Sequence, residues 1–500
     1  MSNLADLVPA GASGKTITAT DSGSGITAGR GVILESDGDV TQVAEAAAST
    51  GSFSGAFNSA NTANCAAAYD TVNDKVLVVY KDSGNSNYPT MVVGTVGTKS
   101  VSWSGETVIN SSGGGAAGPC VAYDTNGEAF CVLYSTNPAG PSPGYVISVT
   151  ISGTTPSTNG SAATLDGTGI GRPCLVYDES AQKTLAYYGK WTAGEAYNGG
   201  AGRICTVTTS SVTVGGEQTI ESAPNYVGYA NACYDSGSSK TILFYNNGAT
   251  GWTGGRVCTC DGSTISFGAI STGISDSPQP QWPVYDSVND KVVNCYSAVG
   301  DSNQGKATVG TVSGTTISFA TPVVWSSDSL RTSLVGNAAA AVYDPSSGRI
   351  VVCACNGDNS DNGYYNVGTV SGTTTSWGTF TVLGSAQYGD FFGGCYDPDT
   401  EQVVYALKGS SDYGKGIVFD TGGSNATTAN FLGIADETIS ASASGAIVVQ
   451  GGTSAQLTGL TIGSNYYVQE DGTFATSAGL PSIKAGIALS ATQLLLNGDS

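Results

Sequence analysis

Aromatic side chains with polar neighbours recur in the variable segments of this sequence, and they are the groups best suited to hold a ligand. Flat rings beside Asp, Asn and Ser can stack on the apolar faces of sugars while polar groups bond to the hydroxyl rims. The candidates are Tyr88, Trp191, Tyr197, Trp252, Tyr364 and Tyr413, with Tyr226, Trp282 and Tyr388 in nearby connections. Each ring can equally be a lid over the end of a strand, so both interpretations stay open.

Four basic residues can add positive charge to the same surface. They stand near the start of corresponding strands in four copies of a repeated motif: Arg203, Arg256, Lys306 and Lys415. An arc of positive charge would attract an acidic glycan. Charged residues that flank a strand are, however, often simply solvated. Arg203 and Arg256 are therefore candidates for ligand binding, with solvated surface charge as the alternative.

The sequence offers little for catalysis. It contains no histidine, which excludes every mechanism that needs an imidazole. A glycosidase would need two carboxylates converging on one pocket, yet no Ser-x-Asp-x-Gly-x-x-Trp box recurs and the arginines are scattered. We therefore expect no catalytic residue, no cofactor and no enzymatic activity, with a glycan-cleaving enzyme as the main alternative.

Metal binding is also not expected. The pairs Cys258/Cys260 and Cys353/Cys355 have one intervening residue, whereas zinc knuckles have two to four. The twelve cysteines mostly lie in strand-like segments and are predicted to be buried free thiols. Asp358–Gly363 resembles the first half of a calcium loop, but Thr369 occupies the position of the bidentate Glu, so calcium binding there is left open.

One motif recurs seven times and must position these groups. Each copy is an apolar run that ends in Tyr-Asp, followed by a polar turn and a second apolar strand. Consecutive copies are 51 to 58 residues apart. We expect each Asp to accept backbone hydrogen bonds across the turn. The tyrosines are Tyr69, Tyr123, Tyr177, Tyr234, Tyr285, Tyr343 and Tyr396.

Each copy also contains a hairpin signature, clearest in Gly310–Phe319 and Gly368–Trp377, where a Gly turn separates alternating strands. Four short antiparallel strands per copy are typical of a propeller blade, and a closed ring of blades leaves only short edges. The prediction is an all-β fold with a seven-bladed β-propeller over residues 48–429. Its variable loops and connections would share one face, where binding specificity usually lies.

The two chain ends lie outside the repeat. Residues 1–47 and 430–500 contain short alternating segments, and a closed propeller brings its own ends together. We therefore expect these ends to be the two halves of one small β module, into which the propeller is inserted. This module would anchor the chain.

The terminal segments Ser2–Gly11, Ile26–Leu34, Gly459–Val468 and Ala488–Ala491 resemble small β modules of tailed-bacteriophage virion proteins, including tail-fibre and capsid-decorating proteins. The resemblance implies a structural protein of a virus particle that is assembled in the host cytoplasm. It would contact other virion proteins through the terminal module, as a homo-oligomer on the particle. The loop face would bind host-surface glycans during adsorption; a decoration protein without a ligand is the other alternative.

Charge and hydropathy exclude two other partners. The net charge of −21 would repel nucleic acid and anionic membranes. No apolar stretch is long enough to span a bilayer, and Met1–Val8 lacks the features of a signal peptide. We expect no nucleic-acid binding and no membrane span.

Overall fold

The computed structural model describes residues 15–111, 118–136, 142–191, 198–247, 252–274, 276–331, 339–358, 362–383 and 390–497. Nearly all regular elements in these ranges are β-strands, and the one helix among them is the 3₁₀ turn Ser410–Asp412. The predicted all-β fold is confirmed. Within the same ranges no helix combines the length and apolar character that a bilayer crossing requires. The chain forms two compact units, Thr50–Thr421 and the combination of Met1–Ser49 with Gly422–Ser500.

Each copy of the repeat builds one antiparallel sheet, and we number these sheets 1 to 7 in chain order. Sheet 1 contains Thr62–Asp70, Lys75–Asp82, Tyr88–Gly97, Ser100–Trp103 and Thr107–Val108. Sheet 2 contains Cys120–Asp124, Ala129–Ser135, Gly144–Ser152 and Thr155–Asp166. Sheet 3 contains Ile170–Asp178, Lys183–Lys190, Gly200–Thr208, Ser211–Val214 and Gln218–Glu221. Sheet 4 contains Val227–Asp235, Lys240–Asn247, Trp252–Cys260, Ile265–Phe267 and Ser271–Ile274.

The last three sheets have the same strand order. Sheet 5 contains Pro278–Asp286, Lys291–Ala298, Gln304–Ser313, Thr316–Phe319 and Val323–Ser329. Sheet 6 contains Ala339–Asp344, Arg349–Asn356, Asn362–Ser371, Thr374–Trp377 and Thr381–Val382. Sheet 7 contains Asp390–Asp397, Gln402–Lys408, Gly414–Asp420 and Ser49–Thr50. In sheets 1 and 3 to 6 the fourth position is shared by two short strands that both pair with the third.

The second strand of each sheet is mostly apolar and mostly buried because both of its faces are covered. Ala129–Ser135, for example, is buried at every residue, which explains a continuous apolar run in place of an alternating one. Leu77 of sheet 1 packs with Val132 of sheet 2, and Val78 of sheet 1 packs with Val404 of sheet 7. Burying each such side chain contributes about 1.5–3 kcal/mol.

The first strand of each sheet, which ends in Tyr-Asp, lies at the sheet edge and is called the inner strand here. The inner strands of consecutive sheets contact one another, and the inner strand of sheet 7 contacts that of sheet 1. At this last contact a Cβ placed on Gly393 would lie 2.6 Å from the Cα of Ala66. Glycine is therefore required where the two strands approach backbone to backbone.

The repeated aspartates have the structural role that the sequence predicts. Asp286 accepts backbone N–H bonds from Val288 and Asn289, both at 3.0 Å, and it also accepts the hydroxyl of Tyr343 in the next sheet at 2.8 Å. Equivalent turn bonds are made by Asp70, Asp124, Asp178, Asp235, Asp344 and Asp397. The Tyr69 hydroxyl donates to Asp399, 3.1 Å away, so that sheet 1 bonds to the turn of sheet 7 in the same manner.

The segment that precedes sheet 1 runs along the third strand of sheet 7. The backbone N–H groups of Gly51 and Ser54 donate to the carbonyls of Val418 and Gly416, each at 2.8 Å. The indole Nε1 of Trp103 in sheet 1 donates to Oγ of Ser54 at 2.8 Å. The segment at the beginning of the unit thus supplies the fourth strand of sheet 7.

The second unit interleaves both ends of the chain. One sheet has the order Thr16–Thr20, Ser444–Val449, Phe431–Ala435, Gly31–Leu34, Val40–Gln42. Another has the order Thr453–Ser454, Leu494–Leu496, Lys484–Ala488, Asn465–Val468, Phe474–Ala475, and a small pair joins Glu45–Ala46 to Gly423–Ser424. Ile33, Ile434 and Leu494 share its core. Ser2–Gly11 lies outside the described residues.

Candidate functional site

The inner strands of the seven sheets, with the residues beside them, line one cavity of about 590 Å³. Its polar and aromatic lining residues come from sheets 1, 3, 4, 5 and 7 and are Asn64, Arg172, Trp191, Tyr229, Asn231, Gln281, Trp282 and Phe392. Small residues fill much of the remaining wall. This cavity is our candidate site because it is concave, largely apolar and carries a few convergent polar groups, which is the usual character of a ligand pocket.

A backbone bulge recurs in the inner strands where they meet this cavity. The register with the second strand shifts between Ala63 and Ala66 in sheet 1, and at the corresponding place in sheets 3, 4, 5 and 7. A bulge inserts an extra residue and redirects its side chain. The residue five positions before the repeat tyrosine lies in each bulge, and it is Asn64, Arg172 and Tyr229 in sheets 1, 3 and 4.

These three residues adopt a left-handed backbone. Their φ angles are 53° for Asn64, 47° for Arg172 and 50° for Tyr229. Asn tolerates this region, whereas Arg and Tyr are uncommon there, and the conformation costs about 1–2 kcal/mol for an ordinary L-residue. Strain of this kind is characteristic of functional sites, and here it coincides with the cavity wall.

Arg172 and Tyr229 contact each other across the junction of sheets 3 and 4. The guanidinium carbon of Arg172 lies 3.3 Å from the centre of the Tyr229 ring, in a cation–π contact. Among the described lining residues, Arg172 is the only one with a charge. The electrostatic character of this wall is therefore positive, although the whole chain is acidic.

Amide groups continue the wall into sheet 5. Nδ2 of Asn231 donates to the Gln281 carbonyl at 3.1 Å, and Nδ2 of Asn294 donates to Oε1 of Gln281 at 2.9 Å. Two buried N–H groups, Nε2 of Gln281 and Nε1 of Trp282, have no hydrogen-bond acceptor among the described residues. An unsatisfied buried donor costs about 1–3 kcal/mol, so this wall is suited to a ligand rich in acceptors.

The two cysteines of the cavity are not nucleophiles at neutral pH. Cys120 and Cys174 both line it, and the Cys120 thiol donates to the Pro173 carbonyl at 3.0 Å. Burial raises the pKa of Cys120 to about 12, which keeps the thiol protonated. All twelve cysteines are free, and ten are buried, which confirms the prediction of free thiols.

The structure brings only part of the predicted aromatic set to the cavity. Trp191, which directly follows Lys183–Lys190, lines it, and so does Trp282 in the inner strand Pro278–Asp286. Tyr364 instead stacks on Phe380 with ring centres 4.8 Å apart. Tyr88 begins Tyr88–Gly97 and is half-buried, whereas Tyr413 is 37% exposed beside the 3₁₀ turn. Trp252 begins a strand, but its side chain is outside the described part, as are Tyr197 and Tyr388.

Three of the four predicted basic residues lie on the third strands of their sheets and have acidic partners, and Lys415 donates to Oγ of Ser410 at 3.2 Å. Arg203 lies 3.4 Å from Glu217 and donates to the Tyr188 hydroxyl at 3.2 Å. Arg256 lies 3.3 Å from Glu221, and Lys306 lies 3.0 Å from Asp276. Each of these three charges is thus balanced by a neighbouring carboxylate, and none of the three bases lines the cavity.

The inferences from sequence missed Asn64, Arg172, Tyr229 and Gln281. A signal was present for the first three: five residues before each Tyr-Asp pair the residue type changes from copy to copy, while the following positions are mostly small or apolar. A variable position in an otherwise uniform strand indicates a side chain that does not belong to the core.

No metal site is visible in the part of the chain that the structure describes, where no three His, Cys, Asp or Glu side chains are grouped. Oδ2 of Asp358 accepts the Ser329 N–H at 2.7 Å. Asn359, Ser360 and Asp361 lie outside the described residues, and Asn362 and Gly363 begin the strand Asn362–Ser371.

No family model matches the chain, and no curated protein matches it significantly. A protein of unknown function from Dyadobacter fermentans is 12% identical, aligns over 76% of this chain and 99% of its own, and gives a TM-score of 0.43. Penicillium chrysogenum α-L-arabinanase, in complex with arabinobiose, is 11% identical over 74% of this chain and 98% of its own, with a TM-score of 0.41. Trypanosoma rangeli sialidase, with the inhibitor DANA, is 11% identical over 64% and 56%, with a TM-score of 0.40.

This comparison corrects one prediction. We expected a protein without enzymatic activity, whereas the similar solved structures that are named for an activity are enzymes, namely the arabinanase, the sialidase and an oligogalacturonate lyase from Vibrio parahaemolyticus. The prediction of a non-enzyme is wrong on this finding and is not kept. Likenesses this distant do not assign an activity or a substrate to this chain.

Proposed function

We propose that Thr50–Thr421 is a seven-bladed β-propeller and that the cavity lies on its axis. Three observations support this arrangement: the seven repeat sheets, the contacts between consecutive inner strands, and the contact between the inner strands of sheets 7 and 1. The bond from Tyr69 to Asp399 supports the same closure. Seven edge strands that line one cavity are what an axial site in a closed ring requires.

The function that this geometry supports best is recognition of a glycan in the cavity. Trp191 and Tyr229 offer aromatic surface, while Asn64, Asn231 and Gln281 offer amide groups. This combination suits the apolar faces and hydroxyl rims of a sugar. A volume of about 590 Å³ is within the range of small-molecule sites. The observation that carries the proposal is the strained bulge that turns Arg172 and Tyr229 into contact at the cavity wall.

The ligand site is proposed for the cavity and not for the loop face that the sequence favoured. Arg203 and Arg256 are paired with Glu217 and Glu221, so they add little net charge to an outer surface. Of the predicted aromatic candidates that the structure describes, Trp191 and Trp282 line the cavity. The site therefore moves from the variable loops to the inner strands.

A glycan array probed with the labelled full chain tests this proposal. Binding of the strongest hit is then measured by calorimetry for the wild type, Trp191→Ala and Tyr229→Ala. Tyr88→Ala and Tyr413→Ala are the matched controls, because they remove aromatic rings away from the cavity. Chromatography of the same mixtures shows whether the glycan is also cleaved.

We expect both cavity substitutions to weaken binding at least tenfold and both controls to change it less than twofold. For comparison, loss of an aromatic ring on which a nucleic-acid base stacks costs about 1–3 kcal/mol. Urea unfolding of each variant shows whether the propeller remains folded. Binding that depends on Tyr88 or Tyr413, or an array without any hit, would contradict the proposal.

We also propose that the unit formed by Met1–Ser49 and Gly422–Ser500 anchors the chain. The interleaving of its ends, such as Thr16–Thr20 against Ser444–Val449, supports its being one module. Location on a phage particle, contacts with other virion proteins and homo-oligomerisation stay predictions from the sequence.

A further inference from the structure

We infer that the glycan carries a carboxylate and that Arg172, held by Tyr229, binds it. The inference rests on the proposed function and narrows it from glycans in general to acidic glycans. It begins from the charges of the wall: Arg172 is cationic, and the described lining contains no Asp or Glu. A ligand with a negative group would therefore be attracted to the Arg172 guanidinium.

Arginine is well suited to this task. Its planar guanidinium presents N–H groups in a fork that matches the two oxygens of a carboxylate. Such charge-assisted bonds are roughly twice as strong as neutral ones. A neutral sugar would gain much less from the same side chain. The charge of Arg172 thus discriminates between acidic and neutral forms of one sugar.

Tyr229 positions the guanidinium. The Arg172 cation lies 3.3 Å from the centre of the Tyr229 ring, and both residues are fixed by left-handed bulges with φ of 47° and 50°. Residues ordered before binding lose less conformational entropy when the ligand arrives. The strain in both backbones is therefore accounted for by a pre-organised anion site.

The neighbouring strand supplies further donors. Nε2 of Gln281 and Nε1 of Trp282 are buried N–H groups without an acceptor among the described residues, and both residues line the cavity. The inner strand that carries Gln281 is bonded to that of Tyr229 through Asn231, at 3.1 Å. The inner strand of sheet 3 therefore contributes a guanidinium to the wall, and that of sheet 5 contributes two lining residues whose buried N–H groups have no acceptor among the described residues.

The acidic surface of the protein does not oppose this assignment. The net charge is −21, but exposed charges farther than a Debye length, about 8 Å at physiological salt, are largely screened. Groups in direct contact inside a cavity are screened much less. The local cation therefore decides the preference.

The test compares acidic sugars with neutral forms of the same sugars. Cellobiouronic acid, its methyl ester and cellobiose form one series, and 3′-sialyllactose and its methyl ester form a second, so that uronate and sialate sources are distinguished. Calorimetry is performed with the wild-type chain, Arg172→Gln, Arg172→Lys and Tyr229→Phe. We expect the acid of one series to bind the wild type at least tenfold more tightly than its neutral counterparts.

Arg172→Gln should abolish that preference: the acid should bind at least tenfold more weakly, and the affinity for the neutral sugars should change less than twofold. Arg172→Lys should restore part of it, since it keeps the charge but not the fork, and Tyr229→Phe should change it little because the ring remains. Equal binding of acid, ester and neutral sugar to the wild type would overturn this inference and leave the proposed function standing. An array without hits and no binding in either series would remove both. The ester comparison uses only wild-type protein and does not depend on how any variant folds.

Discussion

The guanidinium of Arg172 lies over the ring of Tyr229, 3.3 Å from its centre, and both residues have positive φ angles, 47° and 50°. The two residues occupy the same position of the repeat in adjacent sheets. Neither conformation is favourable for a residue with a Cβ, and the contact contributes only about 0.5–1 kcal/mol at an exposed site. The proposed ligand site gives a reason for this pair that folding alone does not.

Strain at Arg172 can be measured directly. Arg172→Gly and Arg172→Ala remove the same contacts, but only Gly adopts a positive φ without steric cost. We expect Arg172→Gly to have a free energy of unfolding about 1 kcal/mol higher than Arg172→Ala, measured by urea denaturation.

The control is Thr206, an exposed residue of the strand Gly200–Thr208. There the order should be reversed, because Gly in a regular strand is about 0.5–1 kcal/mol less favourable than Ala. If both sites favour Ala, the backbone at Arg172 is not strained.

Gly393 tests the contact between sheets 7 and 1. A Cβ at this position would lie 2.6 Å from the Cα of Ala66, and neither backbone can yield without moving an inner strand. Gly393→Ala should therefore lower the free energy of unfolding by about 1–3 kcal/mol, as overpacking in a core does. Gly105→Ala is the control, since a Cβ there meets no atom within 4 Å. Equal stability of the two variants would show that sheets 7 and 1 do not meet as described.

Arg256 should be a structural residue and not a ligand group. Its partner Glu221 has a side chain only 9% exposed, and 3.3 Å separates the two charges. Arg256→Gln leaves that carboxylate unpaired, which typically costs about 3–5 kcal/mol when the pair is buried; thermal and urea unfolding measure the loss. Lys99→Gln breaks an exposed pair with Asp420 and should cost no more than about 1 kcal/mol. If folded Arg256→Gln binds the glycan tenfold more weakly than the wild type, the result supports a ligand site on the loop face.

Buried thiols should make the fold sensitive to alkali. Burial raises the pKa of Cys258 to about 12, whereas an unfolded Cys titrates near 8.5. Above that lower pKa the unfolded chain loses the proton and the folded chain keeps it, so stability falls as pH rises. Between pH 8.5 and 10 the titration of this one thiol should lower the free energy of unfolding by about 2 kcal/mol. Urea unfolding of the wild type and Cys258→Ala at both pH values measures it: the variant should lose about 2 kcal/mol less, and identical losses would contradict the pKa shift.

The sequence predicted the parts of the fold that depend on local pattern. The Tyr-Asp pairs mark the ends of the inner strands, and Asp286 and its equivalents bond across their turns as expected. The cysteines were predicted correctly because their strand-like context already implied burial. These features need only the composition and spacing of a short segment.

The candidate site depended on information that is not local. The bulge that redirects Arg172 arises from a register shift between neighbouring strands; Gly171 and Pro173 are typical of a bulge, but they do not specify which side chain it turns toward the cavity. Glu217 neutralises Arg203 because the short strand that follows Glu217, Gln218–Glu221, pairs with the strand that contains Arg203. Pairing of this kind, and the meeting of seven strands around one cavity, cannot be deduced from residue types alone.

A crystal structure of the full chain soaked with the strongest-binding oligosaccharide from the array tests the central claim most directly. We predict density for the sugar inside the cavity, in contact with Arg172, Tyr229 and Trp191. Sugar density over Tyr88, Tyr364 or Tyr413, with none in the cavity, would contradict it.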